Sequence, residues 1–138
     1  MATRGTLTGK DLTDRAECEG CHHDVAAVFS SSIHALGSFT DPIYRVALER
    51  FRDNIGKKPS RFCGGCHDMA LMVDGGMDVP VEPNDPRAHA GITCRVCHSI
   101  ADEDVDGNAS YELTAEPFPA PVEGDPASLA KHKARAAL

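Results

Sequence analysis

The sequence is short of large aromatic side chains. Its 138 residues include no tryptophan, two tyrosines and five phenylalanines, and alanine and other small residues supply much of the 41% hydrophobic content. A chain of this length falls in the range of a single domain, and aromatic rings normally contribute much of a core's buried area. The chain therefore lacks part of the material for its own core, and we expect something other than side chains to fill it.

Excess basic charge and long apolar runs are also missing. The formal net charge is −7, which argues against nucleic acid as a partner because phosphates must be neutralised by a basic face. No apolar run reaches about eighteen residues, so no transmembrane segment is predicted. The first residues, MATRGTLTGKDLTDRAE, contain no apolar stretch of the signal-peptide kind. The chain is therefore either cytoplasmic or a processed or excised part of a longer one.

The cysteines show one arrangement three times. All six fall into pairs separated by two residues, none is left over, and a histidine follows each pair directly. The three motifs read CEGCH, CGGCH and CRVCH. Their residues are Cys18, Cys21 and His22, then Cys63, Cys66 and His67, then Cys94, Cys97 and His98.

This C-x-x-C-H spacing is typical of covalent c-type haem attachment. Two thiols add to the two vinyl groups of one porphyrin, and the next residue starts a helix that places its imidazole under the iron. We therefore predict three haem c groups, held by the six cysteines and by the three motif histidines as proximal iron ligands. Three porphyrins would supply the missing flat apolar groups and would have to lie close together in so small a chain.

Three other interpretations compete with haem attachment. Disulfide bonds occur in secreted chains but do not account for the histidines. Zinc ribbons use such pairs in twos, and six cysteines with three histidines divide awkwardly into tetrahedral sets. A thioredoxin-type redox pair occurs once, in a βαβ setting that this sequence lacks.

The remaining histidines are candidates for the opposite faces of the irons. His34 lies twelve residues after His22, and a helix of that length rises about 18 Å, so it should serve a neighbouring haem. His23 is a weaker candidate because adjacent helical side chains diverge. Methionine is the chemical alternative, but we expect Met69 and Met72 to pack against porphyrin. The predicted distal ligands are His34, His89 and His132.

The fold class predicted is mainly α with extensive loops, a small multihaem cytochrome c fold built around three closely packed haems. We predict helices over 18–30, 40–54 and 127–138, the second with Asp41 as N-cap and Gly56 after its end. Residues 74–86 are predicted to be a loop rich in Gly, Pro and Asp, residues 116–126 an extended, Pro-rich segment over the surface, and no strand is convincing. A small hairpin is predicted around Asp106-Gly107. Asp102, Asp104, Asp106 and Gly107 also fit the first half of a calcium loop, but we interpret the segment as a solvated acidic turn with calcium as the alternative.

With the motifs placed, the chain resembles the multihaem c-type cytochromes, especially modules related to the tetrahaem cytochromes of hydroxylamine oxidation. The resemblance is carried by CEGCHHDVAAVFSSSIHA, RFCGGCHDMALM and HAGITCRVCHSI, about a third of the chain. It implies that His34 and His89 are distal ligands. The chain stops at three motifs, and KHKARAAL resembles the lead-in to a further haem-binding stretch, so His132 would serve one of the three haems or one in a longer parent.

These observations predict electron transfer by three low-spin, mostly bis-His haems, because two axial imidazoles leave the iron no open position. We expect one trihaem domain over residues 1–138, excised or processed from a longer chain, in the periplasm or another extracytoplasmic compartment, where such haem is attached. Acidic charge favours redox protein partners with basic docking faces. Two alternatives remain: a haem-based reductase with one open iron, and a haem sensor module of a larger protein.

Overall fold

The computed structural model describes residues 1–106 and 109–137. Within them about half of the chain is helical, and three short strands form the only sheet. The α-helices are α1 (Gly9–Thr13), α2 (Ala16–Glu19), α3 (His23–Ser30), α4 (Pro42–Ile55), α5 (Arg61–His67), α6 (Met69–Val73), α7 (Cys94–His98) and α8 (Pro126–Ala136). Short 3-10 turns cover Ile33–Ala35, Lys58–Ser60, Gly76–Asp78 and Pro86–His89. The prediction of a mainly α chain with extensive loops is confirmed.

The longest helix, α4, begins and ends where its sequence predicts. The Asp41 carboxylate accepts hydrogen bonds from the backbone N–H groups of Ile43 and Tyr44, at 2.8 and 3.0 Å, and Pro42 occupies the first position. At the other end Gly56 adopts a φ of 102°, which favours glycine. The apolar stripe of this helix does not become core, however. Leu48 is buried, whereas Ile43 is 82% exposed.

The predicted helix over residues 18–30 is wrong in its continuity. It divides into α2 and α3, because His22 takes a non-helical backbone conformation with φ −110° and ψ 53°. The residues of the first motif therefore lie at the junction of two helices. Gly20 is the residue of this segment that would be expected to interrupt a helix, but it keeps helical dihedral angles. The break at His22 therefore has no signal in the local sequence.

The expectation that no strand forms is also wrong. Strands β1 (Ala2–Arg4), β2 (Ile100–Glu103) and β3 (Tyr111–Thr114) make a sheet in the order β1-β3-β2. β1 runs parallel to β3, with Ala2 opposite Glu112, and β2 runs antiparallel to β3, with Glu103 opposite Tyr111. The predicted hairpin pairing is thus confirmed, while Gly107 of its turn lies outside the described residues. Strands this short have too little alternation to be recognised from sequence.

Two small clusters of buried side chains form the protein's own core, and α6 contributes to both. The first cluster is Leu7, Leu12, Met69, Ala70, Val96 and Leu113. The second is Phe39, Leu48, Leu71, Met77 and Ala88. The Thr93 hydroxyl, which also caps α7, donates a 2.5 Å hydrogen bond to the carbonyl of Leu12 in α1. The core therefore fixes the helix that carries the third motif.

The C-terminal part follows its prediction closely. Residues 117–122 have no regular structure, and α8 begins at Pro126 with the Asp125 carboxylate accepting from the backbone N–H of Ala127. Residues 74–86 are irregular as predicted, apart from the turn Gly76–Asp78. In the part of the chain that the structure describes, no helix is both long and apolar enough to cross a membrane.

Candidate functional site

The second and third C-x-x-C-H motifs each lie on a single helical turn, whereas the first lies at the junction of α2 and α3. In α5 and α7 the two cysteines and the histidine occupy positions i, i+3 and i+4, which share one helix face. In the first motif the N–H groups of Cys21 and His22 both bond to the carbonyl of Cys18, at 3.2 and 2.9 Å. The expectation that the histidine starts a helix holds only for His22. His67 and His98 are the last residues of their helices.

None of the six cysteines, all of which lie in the described residues, forms a disulfide bond, and their exposure follows one rule. The first cysteine of each pair is half-buried and the second is exposed. Burial raises the pKa of Cys18, and the neighbouring Cys94 thiol raises it further. Burial and Cys94 likewise raise the pKa of Cys97. Among residues 1–106 and 109–137, no group of three or more His, Cys, Asp or Glu side chains is arranged to hold a metal ion by itself.

The second motif is packed tightly against the protein through its two glycines, both of which are buried. A methyl group added at Gly65 would lie 2.3 Å from the Cβ of Ala109, and one added at Gly64 would lie 3.0 Å from the Cγ atoms of Met72 and Met77. Met69 is in the first core cluster rather than on a surface open to a cofactor. The small residues of this motif therefore let α5 approach its neighbours closely.

Both tyrosines of the chain contact the second motif, which sequence reasoning missed. The ring centre of Tyr44 lies 4.7 Å from that of His67. The hydroxyl of Tyr111 donates a short hydrogen bond to the carbonyl of Gly65. The pKa of Tyr111 is raised, mainly by burial and then by Cys66 and Cys97, which both lie nearby. The only available signal was the scarcity of aromatic residues, which makes each one informative.

A buried polar cluster lies next to the second motif, beginning at the residue after His67. It contains Asp68, Arg52 and Ser38, each less than 5% exposed. Desolvation raises the pKa of Asp68 to about 7, although Ser38 and Arg52 act in the opposite direction. Burial, followed by the nearby Asp68, raises the pKa of Tyr44 above its usual range. Several buried polar atoms here have no hydrogen-bond partner among the described residues, including Oδ2 of Asp68 and the Tyr44 hydroxyl.

Rings from the C-terminal part join the first and third motifs. The imidazole of His132 lies 5.7 Å from that of His22, with the two planes only 10° apart. Phe118 stands edge-on to both His132 and His98, at 5.2 and 5.6 Å. Nδ1 of His132 is 2.8 Å from the carbonyl oxygen of Pro119, so a proton there leaves Nε2 free to bind a metal.

The other two predicted distal ligands are carried by segments that contact each other. Ile92 donates a 2.8 Å hydrogen bond to the carbonyl of His34. Gly37 packs against the backbone of His89, where an added methyl would lie 2.8 Å from the Cα. Nε2 of His89 is 2.7 Å from the carbonyl oxygen of Pro83. Within residues 1–106 and 109–137, neither side chain makes a ring contact with a motif histidine, whereas His132 does.

Comparison with known proteins identifies the family. Residues 17–99, which include all three motifs, match the family model described as cytochrome c554 and c-prime. The chain belongs to this family. It is accordingly a c-type cytochrome, whose cofactor is haem c with its iron and whose activity is electron transfer. No curated protein and no solved structure matches the chain.

Proposed function

We propose that this cytochrome carries three covalently attached haems and passes single electrons between redox proteins without transforming a substrate. The observation that carries the proposal is the threefold repetition of two cysteines and one histidine within five residues, on one helical turn in α5 and α7 and at the junction of α2 and α3. The site residues would be the six motif cysteines, with His22, His67 and His98 as proximal iron ligands. Bound haem iron supplies a one-electron couple, which the side chains of the protein lack.

The side chains around the motifs fit a porphyrin. Large apolar residues next to the motifs are exposed, including Val25 and Val28 after the first motif and Phe62 beside Cys63. Ile43 and Val46, one residue before and two residues after Tyr44 in α4, are also exposed. Burying such side chains against an apolar ring would contribute about 1.5–3 kcal/mol each. They would therefore serve as contacts for the porphyrin faces.

His132 is the best-supported distal ligand, and we propose that it pairs with His22. Two imidazoles bound to opposite faces of one metal have ring centres about 6 Å apart, because each metal–nitrogen bond is about 2 Å. These two rings lie 5.7 Å apart but are stacked, so the pairing is supported by their proximity and would require the imidazoles to turn their nitrogens towards the metal. The Pro119 carbonyl would hold the outer ring nitrogen in the manner usual for metal-bound histidine. His34 and His89 remain the proposed distal ligands of the other two irons.

The setting of the protein is part of the same proposal. Members of this family are typically extracytoplasmic, and we place the protein in the periplasm or an equivalent compartment, as one domain of residues 1–138. Its acidic charge favours partners with basic docking faces. We also retain a relationship to the tetrahaem cytochromes of hydroxylamine oxidation. The calcium alternative remains a prediction, since Gly107 lies outside the described residues.

The haem count can be measured directly. Mass spectrometry of the denatured protein should give the mass of the polypeptide plus three haems, and the absorption spectrum should be that of low-spin iron. A chain that carries zinc and no haem would refute the proposal. A high-spin fraction in the unmodified protein would instead favour a reductase with one open iron.

A further inference from the structure

We propose that the third motif stands between the other two, so that electrons cross the protein in the order first, third, second rather than in chain order. This inference rests on the proposed function, because it assigns an internal route to haems held at the three motifs. It follows from the side-chain contacts that join one motif to another.

The first and third motifs touch through their first cysteines. The thiols of Cys18 and Cys94 are close enough to interact, and Arg95 also lies near Cys18. A second connection runs through rings, from His22 to His132, to Phe118 and then to His98, in steps of 5.7, 5.2 and 5.6 Å. Two independent sets of contacts therefore hold these motifs together.

The third and second motifs meet at Tyr111. Its hydroxyl bonds to the carbonyl of Gly65 inside the second motif, and Cys66 and Cys97, the second cysteines of the two motifs, are near enough to that hydroxyl to raise its pKa. The position of Tyr111 is fixed by the pairing of β3 with β2, which directly follows the third motif. The sheet therefore holds one half-buried ring between two points of haem attachment.

The first and second motifs have no such connection. Among the described residues, no hydrogen bond, ion pair or ring contact joins residues 18–22 to residues 63–67. The third motif thus directs Cys94 towards one neighbour and Cys97 towards the other. Since each thioether marks the edge of a porphyrin, the edges of neighbouring haems should approach each other at these two places.

The route involves simple one-electron steps. With haem bound, a donor protein would supply an electron at the first or the second motif, and an acceptor would remove it at the opposite end. Each of the two internal transfers through the third motif would oxidise one haem iron and reduce its neighbour, with no bond made or broken. Either direction of travel satisfies the same contacts.

The order can be tested by nuclear magnetic resonance on the fully reduced, haem-loaded protein. We expect nuclear Overhauser effects between the thioether groups at Cys18 and Cys94, and from the Tyr111 ring to the thioether groups at both Cys66 and Cys97. Effects that join the first and second motifs directly, or the absence of those from Tyr111 to either cysteine, would overturn the proposed order.

Two matched variants test the route by electron exchange in partly reduced samples. Tyr111→Leu should slow exchange between the second and third motifs several-fold and leave the first–third exchange unchanged. Phe118→Leu should slow exchange between the first and third motifs several-fold and leave exchange between the second and third motifs unchanged. Tyr111→Phe, which keeps the ring and loses only the hydroxyl, should remain close to the parent protein. If both leucine variants slow the same pair, or either slows neither pair, the assignment is wrong.

Failure of this inference is distinguishable from failure of the proposed function. Three haems by mass and reversible reduction, with a different pattern of Overhauser effects, would reject the order alone. A chain with fewer than three haems would reject the proposed haem count, and the order with it. The measurement on the unmodified protein does not depend on whether the variants fold.

Discussion

A methyl group added at Gly65 provides a sharp test of how tightly the second motif is packed. The new Cβ in Gly65→Ala would lie 2.3 Å from the Cβ of Ala109, far inside contact distance, so α5 or the backbone at Ala109 would have to move. Overpacking of this kind costs about 1–3 kcal/mol. Alanine in place of glycine within a helix offsets about 1 kcal/mol of that cost.

Gly20 is the matched control, because it occupies the same place in the first motif. A methyl there would meet nothing closer than 3.5 Å, the carbonyl oxygen of Ala16, so Gly20→Ala should be neutral or slightly stabilising. The two variants should therefore differ by about 1–3 kcal/mol in the free energy of unfolding, which is roughly 3–10 °C in melting temperature for a chain of this size.

Thermal unfolding followed by far-ultraviolet circular dichroism would measure the difference in haem-loaded protein. Haem content must be determined for both variants, so that loss of attachment is not taken for loss of packing. Equal melting temperatures at full haem content, or a Gly65→Ala variant more stable than Gly20→Ala, would refute the argument that α5 approaches its neighbours as closely as described.

Three further predictions concern ligation, helix capping and partner binding. His132→Ala should open one iron, giving a high-spin band near one-third of total haem and carbon monoxide binding that the parent protein lacks. The control His23→Ala should change neither the spectrum nor carbon monoxide binding. Unchanged spectra for His132→Ala would exclude His132 as a ligand. Thr8→Ala should remove the reciprocal Thr8–Asp11 cap of α1 and lower the free energy of unfolding by about 1 kcal/mol in chemical denaturation, with Thr8→Ser near the parent. Reduction by a small basic protein should slow as salt rises, because screening acts within about 8 Å at 0.15 M, and a rate indifferent to salt would contradict steering by the acidic surface.

Local sequence signals predicted the elements that are fixed locally. The caps of α4 and α8 lie within a few residues of the backbone groups that they satisfy, so Asp41 and Asp125 could be recognised without tertiary information. The motif spacing likewise predicts that two cysteines and a histidine share one helical turn, which holds for α5 and α7 but not for the first motif, where the helix breaks at His22. For these elements the chemistry of a short segment decides its structure.

The remaining features depend on residues far apart in the chain. β1 is a strand because its residues pair with β3, where Ala2 lies opposite Glu112. Its three residues contain no sequence pattern that predicts a strand. The contacts of Tyr111 and Phe118 follow from where the sheet and the C-terminal segment pack. These contacts could therefore not be predicted from sequence, whereas the candidate cysteines and histidines could.

The parallel pairing of β1 with β3 has a consequence for the order in which this cytochrome is made. β3 follows the last C-x-x-C-H motif in the chain, so the N-terminal strand cannot be paired until all three motifs have been synthesised. Tyr111, whose hydroxyl bonds to the carbonyl of Gly65 in the second motif, belongs to the same strand. We therefore expect haem insertion to proceed on an open chain, with pairing of β1 and β3 as a late step.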